Sequence, residues 1–274
     1  MRPSEVVARA EGYLSRHGVA DARVDAEWLL RSILELDRAG LYARSEPLSP
    51  SQARASGRAL CRRCEGVPLQ HLTREQTFRN LHLEVRPGVF IPRQETEVVV
   101  EAALERMAAV EAPSVVDCCT GSGAIALAIK QERPEATVVG TDVSEAAVDL
   151  ARANAERLGL DVAFRLGDLV QPVGELRGAL DLLVANPPYV EADAMGSLPV
   201  EVRADPVGAL VGGTELHERL AAAAAEWLKP GGWLVLEIGD DQGDEVAGIL
   251  GRHLGDVDVL PDLSGRDRVA VGRR

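Results

Sequence analysis

Four short apolar runs end in residues that can hold a ligand: SVV in Asp117, TVVGT in Asp142, AFRL two residues before Asp168, and DLLVA in Asn186. Between the first two lies CCTGSGAIALAI, in which Gly121, Gly123 and Ala126 satisfy the pattern G-x-G-x-x-A. Glycine adopts positive φ and lets a ligand approach the backbone, so such a loop suits a nucleotide-like group, although an α/β turn also uses glycine for its own geometry. Asp142 follows Gly121 by 21 positions, the spacing at which a carboxylate accepts both hydroxyls of a ribose. Asp117 stands four positions before Gly121, where it would repel a pyrophosphate and attract an ammonium group. Asp168 can accept from an adenine amino group. Three strand-end carboxylates thus describe an adenosyl ligand with a cationic tail. They favour S-adenosylmethionine, with NAD as the rival.

Asn186-Pro187-Pro188-Tyr189 raises a different chemistry. An amide or aromatic amine is a poor nucleophile because its nitrogen lone pair is delocalised. Two acceptors gripping its N–H bonds would aim that lone pair at an incoming methyl group, and the Asn186 side-chain oxygen with the Pro187 carbonyl can supply them. The prolines remove competing backbone donors and fix φ, and Pro187 biases Asn186 toward an extended conformation. Tyr189 can pack on the flat face of the acceptor. Orientation of this kind contributes on the order of 7–11 kcal/mol in favourable cases and needs no strong base. The bland alternative is a proline-terminated strand with an incidental asparagine.

These residues must be held by a scaffold. Up to about residue 66 the periodicity is helical, with Val6, Ala10, Tyr13 and Leu14 on one face, Ala26, Leu29, Leu30 and Ile33 on another, and Gly18 and Gly40 as stops. Residues 67–91 predict short strands and turns around Phe78, Leu81, Leu83, Val85, Phe90 and Ile91, with a turn at Pro87-Gly88. From residue 94 the pattern alternates. Strands are expected at 114–118, 137–142, 161–166, 181–186 and 232–239, and helices at 124–132, 145–157, 215–228 and 241–253. That series predicts an α/β fold with a mainly parallel, doubly wound sheet. The division read here is a helical domain over 1–66, a β-hairpin and linker over 67–93, and a ligand-binding domain over 94–274.

At 274 residues and 46% hydrophobic content, the chain is long enough to bury a substantial core and too apolar for a disordered one. The net charge of −13 is uneven. Residues 1–90 hold 14 Arg against 11 acidic residues, a net of +3, and residues 91–274 hold 16 Lys and Arg against 32, a net of −16. An acidic body argues against tracking along nucleic acid, which needs rows of cations. No run approaches the ~20 apolar residues of a membrane span, and the charged first residues lack a signal-peptide core. A cytoplasmic, monomeric protein without membrane contacts is expected. Cys61 and Cys64, three apart on a helix, lack the further ligands that zinc needs, and the five histidines show no metal spacing, so no metal is expected.

With NPPY after the fourth strand, the Asp117–Gly123 loop and Asp142, the chain resembles class I methyltransferases that act on amino groups. PLQHL (68–72), VFIPRQETE (89–97), LKPGGWLVLEIGDDQG (228–243) and DLSGRDRVAVG (262–272) narrow the resemblance to the bacterial release-factor glutamine N5-methyltransferases, over nearly the whole chain. The resemblance implies a small N-terminal helical domain and a β-hairpin before a Rossmann-like methyltransferase domain. It implies S-adenosylmethionine-dependent methylation of the Gly-Gly-Gln glutamine of peptide chain release factors. The alternative is N-methylation of another amino group, on a nucleic-acid base or a small molecule. Donor contacts are implied at Thr120, Gly121, Ser122, Gly123, Asp142, Asp168, Leu169 and Asn186, joined by Asp117 and Cys119, and acceptor contacts at Asn186, Pro187, Pro188 and Tyr189. Arg93 is implied at the substrate, with Phe90 and Glu97 as wall and closing contacts. Asn186, Pro187 and Tyr189 carry the transfer itself. The sequence departs from the family pattern at Cys119, in place of the first loop glycine, where a small side chain is tolerated if φ is negative. It departs again at Gln94, in place of proline, and at Gly212-Gly213, in place of an Asp-Gly pair.

Overall fold

The computed structural model describes residues 1–274 and divides them into two compact units. The first contains Met1–Glu75 together with Pro199–Ala204. Its helices are α1 (Pro3–Arg16), α2 (Ala22–Leu34), α3 (Arg38–Ala43), α4 (Pro50–Cys64) and α5 (Leu69–Thr73). Val7, Ala10 and Leu14 of α1 pack with Ala22, Ala26, Leu30 and Leu34 of α2. The apolar face of α1 is therefore centred one residue beyond the expected Val6, and Tyr13 lies at its margin. Ser49 and Gln52 form a reciprocal cap at the start of α4. Arg63 of α4 donates to Asp25 of α2 at 2.6 Å, and both are buried. Arg63 also pairs with Glu201, which fastens the six late residues within this unit.

Two sequence expectations are corrected here. Gly40 does not stop a helix: it lies inside α3, where its N–H donates to the Asp37 cap at 2.6 Å. A Cβ at Gly40 would come 2.9 Å from that cap oxygen, so the glycine serves the close approach. Residues 69–73, expected among strands and turns, form α5, which ends at Arg74 in the left-handed conformation.

The second unit contains Gln76–Leu198 and Asp205–Arg274. It opens with the hairpin of β1 (Glu75–Phe78) and β2 (Leu81–Glu84), followed by α6 (Glu97–Arg106). Then come β3 (Ser114–Cys118), α7 (Ala124–Glu132), β4 (Thr137–Asp142), α8 (Glu145–Leu158), β5 (Ala163–Leu166) and β6 (Leu180–Ala185). After a long loop the chain continues with α9 (Glu215–Trp227), β7 (Leu228–Glu237), α10 (Gly243–Leu250), β8 (Gly255–Pro261) and β9 (Asp267–Arg273). The seven-stranded sheet has the order β5-β4-β3-β6-β7-β9-β8, parallel except for β9, which runs antiparallel to both neighbours.

Alternate strand residues feed opposite faces, as the two-residue side-chain period requires. Val115, Val138, Leu182, Val184 and Val235 join the core beneath α6, α7 and α8. Val116, Val139, Leu183, Ala185, Leu234 and Leu236 join the core beneath α9 and α10. Strand ends agree with expectation within two residues, except that β7 starts four residues early and the helix expected at 241–253 is the shorter α10.

The register brings the strand ends to one rim. Cys118 is level with Thr141 on one side and Ala185 on the other, and Ala185 is level with Leu236. Cys119, Asp142, Asn186 and Glu237 therefore emerge side by side at the carboxyl edge, where ligands of open α/β sheets bind.

Candidate active site

On the donor side, Asp117 is wholly buried. Its Oδ2 accepts from Thr120 Oγ1 at 2.6 Å and from the Ala126 N–H at 3.2 Å, while Oδ1 is buried with no partner. Burial pushes its pKa up to about 7, against the opposing effect of those two hydrogen bonds. Asp142 accepts from the Gly121 N–H and the Ser144 N–H, both at 2.9 Å, and burial raises its pKa too. Gly121 and Gly123 both have positive φ but differ in duty. A Cβ on Gly121 would meet nothing within 4 Å, so the turn there opens onto free space. A Cβ on Gly123 would lie 3.0–3.2 Å from Phe164, Leu127 and Ala151, so this glycine serves helix–strand packing. Ser122 is fixed by its carbonyl, which accepts from the wholly buried Asn154 at 3.0 Å, and Asn154 also exchanges hydrogen bonds with the Glu84 backbone. At the far end Leu169 is buried with φ 48°, and Asp168 pairs with Arg219.

Cys119 has φ 56°. The condition of negative φ under which its side chain was expected to be tolerated is not met: the loop takes the left-handed conformation a glycine would take, and the chain carries that strain. Burial raises its thiol well above the ordinary value, so it is a packed thiol rather than a thiolate.

On the acceptor side, Asn186 Nδ2 donates to Thr96 Oγ1 at 3.2 Å, which turns the amide nitrogen inward. Tyr189 donates through its hydroxyl to Glu237 Oε1 at 3.2 Å, and its backbone carbonyl accepts from Gln242 Nε2 at 3.0 Å. The loop leaving Tyr189 returns at once. Val190 N–H donates to the Leu210 carbonyl at 2.8 Å, and Gly212 N–H donates to the Val190 carbonyl at 3.1 Å. A Cβ on Gly212 would come within 2.3 Å of the Pro188 carbonyl oxygen, so only glycine fits behind the tetrapeptide. Arg93 stacks 5.2 Å from the Phe90 ring and pairs with the buried Asp205, which also accepts from the Ile91 N–H at 3.2 Å. Glu97 accepts from the Arg79 N–H at 2.9 Å and so faces the β1–β2 turn.

Residues 5–73 match the PrmC N-terminal domain family, and residues 80–201 match the methyltransferase small domain family. A release factor glutamine methyltransferase of Moorella thermoacetica is 44% identical over 98% of this chain and 98% of its own length. Its counterpart in Geobacter sulfurreducens is 42% identical over 98% and 95%.

The chain belongs to the release factor glutamine methyltransferase family.

Among solved structures, the Thermus thermophilus 16S rRNA N2 G1207 methyltransferase, in complex with AdoMet and guanosine, is 21% identical. It aligns with a TM-score of 0.56 over 73% of this chain and 49% of that one. A methyltransferase from Pyrococcus furiosus, 17% identical, aligns at 0.52 over 71% and 89%. Both share the fold.

Within this member of the family, the structure gathers Asp117, Cys119, Thr120, Gly121, Ser122, Gly123 and Asp142 around one turn, and Asn186 to Tyr189 on the neighbouring strand end. Arg93 has its charge partner in Asp205, and Glu97 is engaged with the hairpin. Sequence reasoning missed Thr96, Asn154 and Glu237, and it read Gly212 only as a departure from the family pattern. Glu237 carried a usable signal, as the one charged residue in the apolar run WLVLEIG. Thr96 carried none until its neighbour 90 residues away was known.

Proposed function

We propose that this protein methylates the side-chain amide nitrogen of the glutamine in the Gly-Gly-Gln motif of peptide chain release factors, with S-adenosylmethionine as donor. The observation that carries the reading is Asn186, a strand-end amide whose nitrogen is held inward by Thr96, beside a glycine turn lined with carboxylates. The donor fits the residues present. Asp117 Oδ1 is a buried acceptor awaiting a cationic partner, and open space lies over Gly121. Asp142, already oriented by two backbone N–H groups, keeps lone pairs for ribose hydroxyls. When bound, S-adenosylmethionine would supply an electrophilic methyl on its sulfonium, to be exchanged at the amide nitrogen for an N–H proton released to solvent.

The chain's own part is orientation. The Asn186 oxygen and the Pro187 carbonyl hold the acceptor N–H groups, and Tyr189 bounds the flat face of the carboxamide. This converts a weak nucleophile into a correctly aimed one. We read Thr120, Ser122, Gly123, Asp168 and Leu169 as donor contacts, residues 1–66 as the part that docks the protein substrate, and Arg93 as support for the segment beside the site. The enzyme is read as a cytoplasmic monomer acting on a protein rather than on nucleic acid. The acidic balance of residues 91–274 supports that preference, and no helix is long and apolar enough to cross a membrane. The test is transfer of a radiolabelled methyl group onto purified release factors, with mass spectrometry to map the site. Label on any residue other than that glutamine, or none at all, refutes the reading.

A further inference from the structure

We propose that Glu237 is a positioning residue for the acceptor amide, a buried carboxylate that fixes Tyr189 through its hydroxyl and sets which way Asn186 faces through Thr96. The inference rests on the methyl-transfer reading and adds a residue to its acceptor side.

The sheet makes the juxtaposition. Ala185 and Leu236 are register partners, so the next residues, Asn186 and Glu237, leave the sheet as neighbours. Thr96 arrives from the start of α6 and is 3% exposed, and Glu237 is 2% exposed. Tyr189 donates to Glu237 Oε1 at 3.2 Å, and Asn186 Nδ2 donates to Thr96 Oγ1 at 3.2 Å. Glu237 Oε2 is buried and makes no hydrogen bond in this conformation, and the Thr96 side chain lies close enough to favour the charged form of the carboxylate, so a turn of its hydroxyl toward Oε2 is the link we infer.

Hydrogen-bond polarity then decides the outcome. A carboxylate only accepts, and a hydroxyl has a single hydrogen. If Thr96 gives that hydrogen to Glu237, only lone pairs remain for Asn186. Asn186 must turn its NH2 group inward and its oxygen outward, which is the face an acceptor carboxamide needs. The same carboxylate accepts from the Tyr189 hydroxyl, so through Thr96 it would bear on both ends of the tetrapeptide. A neutral or amide-bearing side chain at 237 can donate as well as accept, and the polarity is lost.

The surroundings suit a charge that is costly yet kept. Burial pushes the Glu237 carboxyl up to about 7, countered by Thr96, Arg268 and Tyr189. Arg268 comes from β9, where it also holds Asp262 and the Ile238 carbonyl. Glu95 adds a like charge, and His217 of α9 meets only the Glu237 backbone carbonyl, at 2.9 Å.

The experiment compares the parent with Glu237→Gln, Thr96→Val, Thr96→Ser and the double variant Glu237→Gln/Thr96→Val, each at saturating donor with a release factor as acceptor. Glu237→Gln and Thr96→Val are each expected to lower kcat about 100-fold, the cost of a misaimed reactant, with the release-factor KM within about threefold. The double variant should be little worse than either single one, because both cut the same chain. Thr96→Ser should recover most of what Thr96→Val loses. The parent kcat should rise with pH through about 7, the pH at which Glu237 ionises, and Glu237→Gln should flatten that rise. Affinity for the release factor without donor, measured by calorimetry, should be unchanged in all four variants. Parental kcat in Glu237→Gln or Thr96→Val overturns the assignment. So does additive loss in the double variant, or a pH profile that Glu237→Gln leaves unmoved. If Glu237→Gln fails to fold, the Thr96 pair decides alone. If the parent itself transfers no methyl to any release factor, the proposed function falls, and this assignment with it.

Discussion

Donor binding should be linked to the ionisation of Asp117. In the ligand-free protein this carboxyl is buried, has one unpartnered oxygen and titrates at about 7. An ammonium group beside Oδ1 favours the ionised form and lowers that pKa. At pH 7 half of the free protein is then ready, and at pH 5 only ~1% is, so apparent affinity should fall by up to ~50-fold, about 2.3 kcal/mol. If the bound pKa drops to near 4, binding at pH 6 should expel ~0.9 proton. Isothermal titration at pH 5, 6 and 7, in two buffers of different ionisation enthalpy, measures both quantities. Asp117→Asn keeps the shape but not the charge, so it should bind more weakly at pH 7 and lose most of the pH dependence. An affinity flat from pH 5 to pH 7 with no proton released, or an Asp117→Asn profile that parallels the parent, refutes the reasoning. The sign for stability runs the other way. A carboxyl raised in the fold contributes fully below its unfolded pKa near 4, and that contribution is lost as pH rises through about 7. Donor should therefore raise the thermal midpoint more at pH 7 than at pH 5.

Three further outcomes are expected. Asn186→Ala should lower single-turnover methyl transfer by two to three decades, about 2.7–4 kcal/mol for one well-placed hydrogen bond, while losing only its bond to Thr96 from the fold. A parental rate would make the tetrapeptide a mere strand terminator. Asp142→Ala should weaken donor binding at least about tenfold in calorimetry and also lower the melting temperature, because it frees the Gly121 and Ser144 N–H groups. Unchanged affinity would remove Asp142 from the site. Gly212→Ala should depress kcat with donor affinity intact, since its Cβ has no room beside the Pro188 carbonyl oxygen, and an unchanged kcat would show that the loop yields without moving NPPY.

Much of this protein is written locally. The strands at 114–118 and 137–142 and the helix at 124–132 have the residue bounds that the sequence predicts, because side-chain alternation, a glycine turn and an apolar helix face are properties of neighbouring residues. The strand-end positions of Asp117, Asp142 and Asn186 follow from the same signals. Gly40 shows the limit even at short range, since a glycine within a helix can serve a cap instead of ending it.

What the sequence left open depends on which distant groups meet and how dry the place is. Asp117 was legible as a carboxylate, but the closure of β4 and β6 around β3 sets it at about 7 rather than in the ordinary acid range. Cys119 was legible as a departure, but only the path of the loop shows that φ is 56° and that a thiol sits where a glycine conformation is required. Arg93 and Asp205 are 112 residues apart in sequence, Thr96 and Asn186 are 90 apart, and Tyr189 and Glu237 are 48 apart. No local periodicity encodes those pairs. The sheet register sets Asn186 beside Glu237, the loops and the start of α6 bring in the other partners, and burial then makes these hydrogen bonds matter, because a polar group removed from water must find its partner within the fold.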